Sequence, residues 1–74
     1  MNYQQILNNG LNQLRIKKLK SPKLDTELLL AKTLNVTREE ILLNLDRKIN
    51  QSDLKNFNYY INLRKNYIPI AYIV

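Results

Sequence analysis

A chain of 74 residues makes one domain at most, and a domain of that size buries only about 60% of its unfolded surface, so several folded units are excluded and modest stability is expected. Neither Cys nor His occurs, which removes disulfides, thiolate nucleophiles, imidazole bases and the usual zinc ligands. Twelve Lys and Arg against six Asp and Glu leave a formal charge of +6, a field that attracts anionic partners without saying which.

The chain opens on Asn2, a good helix cap, followed by Tyr3, Ile6, Leu7, Leu11 and Leu14 at helical steps, so a first helix with one buried face is predicted. Gly10 interrupts that face and weakens the helix by about 1 kcal/mol relative to Ala, so it either permits close packing, the favoured reading, or marks a soft spot. After the basic run Arg15 to Lys20, Ser21 reads as a cap and Pro22 as the first position of a second helix. Its stripe is Leu24, Leu28, Ala31 and Leu34, widened by Leu29 and Leu30, as suits the central helix of a bundle. Asp25 and Glu27 fall in its first turns and read as surface residues favourable to the helix dipole.

Asn35-Val36 is a short break before Thr37 and Glu40, which have the spacing of a capping box. A short third helix through Ile41, Leu42 and Leu45 is expected, then a connection from Asp46 to Gln51 with Ile49 folded back onto the core. Ser52 reads as the cap of a last long helix that turns Leu54, Phe57, Tyr60, Ile61 and Leu63 inward and ends near Asn66. Pro69 blocks its continuation, and the apolar tail from Tyr67 to Val74 reads as extended. Such short connections force consecutive helices together, which predicts an all-α compact bundle of four to five short helices spanning residues 1–66. Residues 67–74 then begin a linker, and the uncapped tail reads as a cut leading to a larger partner domain.

The chemical inventory is short. Both serines sit at helix starts, with no His to activate either. Asp25 and Glu27 diverge by about 200° on a helix and do not form an acid and base on one face. Glu39 and Glu40 read as first-turn residues, and the sole glycine is inside a helix, so no phosphate-cradling loop exists. Catalytic, cofactor-binding and metal-binding residues are therefore not expected within these 74 residues. Tyr59, Tyr60, Tyr67 and Tyr72 could stack on bases, although packing explains their spacing better. A helix-turn-helix over the second and third helices would turn Glu39 and Glu40 toward a polyanion, which opposes DNA binding.

Three segments together resemble a known family. Ser21-Pro22-Lys23-Leu24-Asp25-Thr26-Glu27-Leu28-Leu29-Leu30-Ala31 is similar to the "LDAELLLA" helix of the release-factor glutamine methyltransferases, the HemK or PrmC family. Leu43 to Ile49 looks like the following helix end, and Arg64 with Pro69-Ile70-Ala71-Tyr72-Ile73 is similar to the "RR....PIAYI" junction. Leu63 stands where the first arginine of that pair would be, and Ile68 replaces a common acidic residue.

The resemblance implies an N-terminal helical domain for substrate recognition, followed by a β-hairpin linker and an α/β methyltransferase domain that uses S-adenosylmethionine. That enzyme methylates the glutamine of the Gly-Gly-Gln motif of peptide chain release factors. On this reading the chain is non-catalytic, monomeric and cytoplasmic, with a release factor as partner, no cofactor of its own, no membrane and no nucleic acid. Arg15, Lys17, Lys18, Lys20 and Lys23 form the densest basic segment and are the candidate partner contacts, a solvated face being the plainer alternative. A free-standing basic module that binds nucleic acid is the competing reading, and its mark would be affinity that falls steeply with salt.

Overall fold

The computed structural model describes all 74 residues as five helices with no strands: α1 Tyr3–Ile16, α2 Pro22–Leu34, α3 Arg38–Leu42, α4 Gln51–Lys65 and α5 Ile70–Ile73. Helices α1, α2 and α4 pack on one another around Ile6, Leu14, Leu29, Leu30, Phe57 and Ile61, while α3 rests on α2 and adds Ile41. The all-α bundle expected from the periodicity is the fold observed.

The start of α1 is fully satisfied. Asn2 Oδ1 accepts from the Gln5 amide at 2.9 Å, and Gln5 Oε1 accepts in return from the Asn2 amide at 2.9 Å. The next donors, Tyr3 N–H and Gln4 N–H, reach the carbonyls of Arg47 and Leu45 at 2.9 and 3.0 Å. All four amides that a helix start leaves unpaired are thereby bonded, and the 45–49 connection is clamped against the N-terminus. Ile49, whose amide donates to the Met1 carbonyl at 3.0 Å, folds back onto the core as expected.

Gly10 is where α1, α2 and α4 come closest. A Cβ there would lie 2.8 Å from Thr26 Cγ2, 3.0 Å from Phe57 Cζ and 3.2 Å from Ile61 Cδ1. The missing side chain lets the three helices meet, so packing is the reason for the glycine.

Several local expectations are corrected. Ser21 occupies the cap position of α2 but its side chain bonds nothing there; Pro22 at the first helical position marks the boundary instead. The cap of α4 is Asn50, whose Oδ1 accepts from the Asp53 amide at 2.7 Å, leaving Ser52 inside the first turn. Asn50→Ala should therefore lower stability by about 1 kcal/mol in urea denaturation, whereas Ser52→Ala should be close to neutral. Only half of the Thr37–Glu40 box forms: Thr37 Oγ1 accepts from the Glu40 amide at 3.2 Å, and the Glu40 carboxylate stays with the hydroxyl. Helix α3 stops at Leu42, short of Leu45. In α2 the buried face runs through Thr26, Leu29 and Leu30, and Leu24 is 41% exposed, because the contact with Gly10 turns Thr26 toward the bundle.

Residues 70–73 form a helical turn in place of an extended tail, since Ile73 gains burial by folding back against α4. Pro69 remains extended before it, at φ −58° and ψ 142°. The left-handed residues that end α1, α2 and α4 are Lys18, Asn35 and Tyr67, none of them glycine. Lys18 is exposed at φ 57°, so Lys18→Gly should gain about 0.5–1 kcal/mol by removing the Cβ strain, read as a raised urea midpoint.

Candidate docking groove

A groove of about 720 Å³ opens between α1, the first turns of α2, and α3. One side is the α1 stripe Gln4, Leu7, Asn8, Leu11 and Arg15, which recurs at helical steps and so forms a continuous wall. Leu24 and Leu42 supply the other apolar side chains and are 41% and 43% exposed, with Leu45 at the base of the α3 connection. Leu24 and Leu42 are apolar surface that the bundle does not use.

The rim is basic. Arg15 closes one end from the last turn of α1, Lys23 stands on the first turn of α2, and neither pairs with a carboxylate. Arg38, at the start of α3, is committed differently. Its Nε and Nη2 both donate to Glu27 Oε1, at 3.1 and 2.9 Å. Glu27 is buried, so its charge is met inside the protein and the free rim charge comes from Arg15 and Lys23.

Of the five basic residues singled out from the sequence, Arg15 and Lys23 line this groove. Lys17, Lys18 and Lys20 lie in the connection from α1 to α2, outside its lining. The basic segment is thus one end of the bundle, of which only two members face an apolar surface.

Asp25 and Glu27 overturn their reading as surface residues. Both are 5% exposed, and each is held by an arginine: Arg64 Nε donates to Asp25 Oδ2 at 2.9 Å, as Arg38 does to Glu27. No helix is long and apolar enough to cross a membrane.

The sequence model of one family, described as the PrmC N-terminal domain, matches residues 5–74. The chain belongs to the PrmC N-terminal domain family. The release factor glutamine methyltransferase of Clostridium botulinum is 36% identical over 69 residues, covering 93% of this chain and 24% of that protein. Bifunctional methyltransferases of Rickettsia felis and Rickettsia bellii are 30% and 31% identical over 70 and 71 residues, covering 95% and 96% of this chain and 13% of each relative. This PrmC-family domain therefore spans less than a quarter of the length of these relatives. No solved structure gives a significant match.

Within the PrmC-family domain, the two segments that anchor the resemblance meet physically, because Asp25 and Arg64 are 39 positions apart in sequence and joined by an ion pair. Sequence reasoning missed Arg38 altogether. Its only sign was an arginine one residue after the Thr37 cap, eleven positions from Glu27 and close enough along the chain to swing back alongside α2.

Proposed function

We propose that this domain recruits a peptide chain release factor to a protein methyltransferase that acts on the glutamine of the Gly-Gly-Gln motif. The observation that carries the reading is the groove itself: apolar leucines flanked by two unpaired cations, in a chain of the PrmC N-terminal family. The occupant it suits is an acidic amphipathic segment of the release factor, with an apolar side chain against Leu11, Leu24 and Leu42 and carboxylates at Arg15 and Lys23. Such complementarity contributes mainly to orientation and association rate.

The methyl donor proposed for the whole enzyme, S-adenosylmethionine, does not fit the residues of this domain. A donor with a nucleoside needs backbone held open by glycines, and Gly10 is filled on its open side by Thr26, Phe57 and Ile61. Methyl transfer is thus assigned to the larger part of the enzyme, and the helical domain contributes position. Holding a macromolecular substrate so that a weakly nucleophilic amide meets the donor in line is an entropic advantage that needs no catalytic side chain here.

The test is binding of a purified release factor to the 74-residue chain by calorimetry. Arg15→Glu/Lys23→Glu and Leu24→Asp/Leu42→Asp should each weaken binding at least about tenfold, near 1.4 kcal/mol, while Lys48→Glu/Lys55→Glu outside the groove should change it little. Unchanged affinity in both groove variants would remove the groove from the reading. Absence of release-factor binding together with tight, salt-sensitive RNA binding would replace it with the nucleic-acid reading.

A further inference from the structure

The one side chain that hydrogen-bonds residues 68–74 to the helical body is Arg64. Its Nε donates to Asp25 Oδ2 at 2.9 Å in the first turns of α2, and its Nη1 donates to the Ile68 carbonyl at 3.1 Å, immediately before Pro69. Arg64 is largely buried and Asp25 more so, which makes the first arm a fixed anchor. We infer that Arg64 is a positioning residue, a two-armed latch that sets the direction in which residues 68–74 leave the bundle.

The backbone around it needs such a latch. Helix α4 ends with the Asn66, Tyr67 and Ile68 amides bonded back to its last carbonyls, and Tyr67 sits in the left-handed region at φ 64°. The chain then passes through Ile68 into the extended Pro69, which brings no amide with which to secure the step. The Arg64 guanidinium holds the carbonyl at that step. Beyond it, α5 is a single turn secured by one buried isoleucine, Ile73, the partly buried Ile70, and backbone bonds from Tyr72 and Val74. Those contacts are a small return for ordering five residues, so the fixed start of the segment decides whether it stays folded.

Guanidinium geometry is what allows both contacts at once. A lysine at position 64 keeps a positive charge for Asp25 but offers one nitrogen, which cannot serve an α2 carboxylate and the Ile68 carbonyl together. The inference concerns the chain itself; only its consequence, alignment of a further domain against the groove, rests on the proposed function.

The test uses the 74-residue protein, with backbone amide order parameters for residues 70–73 and thermal denaturation measured on the same samples. Arg64→Lys should leave the melting temperature within about 5 °C of the parent while order parameters at Ala71 to Ile73 fall from about 0.85 to below about 0.6. Asp25→Asn, which keeps an acceptor for Nε and leaves the second arm intact, should lower the melting temperature and leave residues 70–73 ordered. Order parameters unchanged in Arg64→Lys would overturn the latch. Loss of order that merely tracks the melting temperature in both variants would also overturn it, by showing that the tail follows global stability. Failure of release-factor binding would leave these readouts untouched, so the two proposals fail separately.

Discussion

Arg64→Ala is expected to remove about 3 kcal/mol of folding stability, roughly half of what a domain of this size possesses. The reason is what remains after the guanidinium is gone. Asp25 is 5% exposed, its partner is the only cation bonded to it, and a carboxylate left there without a counter-charge has neither water nor protein to neutralise it. The start of α2 offsets part of this, because a first-turn acid gains about 0.5–1 kcal/mol from the helix dipole, which keeps the expected loss at the low end for a broken buried pair. The urea midpoint should fall accordingly, and the melting temperature by more than about 10 °C. Removing both charges in Asp25→Asn/Arg64→Met should recover most of the loss, since the penalty lies in the orphaned charge more than in the missing attraction. A double variant no more stable than Arg64→Ala would mean that the ion pair is not the source of the effect.

Gly10→Ala should destabilise by about 1–2 kcal/mol, against the direction that helix propensity predicts. Alanine in a helix interior gains about 1 kcal/mol over glycine, so a neutral site would be stabilised. Here the new methyl would stand 2.8 Å from Thr26 Cγ2 and 3.0 Å from Phe57 Cζ, closer than carbon atoms tolerate, and three packed helices must move apart to admit it. Thr26→Ser removes the nearest carbon while keeping a hydroxyl for the Pro22 carbonyl, which Thr26 Oγ1 reaches at 2.7 Å. The pair Gly10→Ala/Thr26→Ser should accordingly be more stable than the sum of its single effects, with a coupling of at least about 0.5 kcal/mol in a denaturation cycle. Simple additivity would show that the glycine is not governed by the Thr26 contact.

These two sites also separate what could be read locally from what could not. Asn2 as a cap, Pro22 at a helix start, and Pro69 after a helix end act through their own backbone geometry or a partner three residues away, so their roles were visible in the chain. Asn50 and Ser52 are both good caps two residues apart, and propensity does not choose between them; the Asp53 amide points at Asn50 because the 45–49 connection is pinned to the N-terminus. In α2, leucines at 24, 28, 29, 30 and 34 surround most of the helix, so periodicity left its rotation open. The groove followed from that rotation, which left Leu24 beside Arg15, Lys23 and Leu42 instead of in the core.

The existence, order and approximate limits of α1 to α4, and the family, were determined by the amino-acid sequence alone, because helix signals act over one or two turns and a resemblance needs only order and spacing. The rotation of α2, the burial of Asp25 and Glu27, the separation of Arg15 and Lys23 from the other lysines, and the folding of residues 70–73 were decided by tertiary structure. Each of these depends on contact between groups many positions apart, such as Gly10 with Thr26 or Asp25 with Arg64, and burial is a property of the assembled bundle rather than of any one helix.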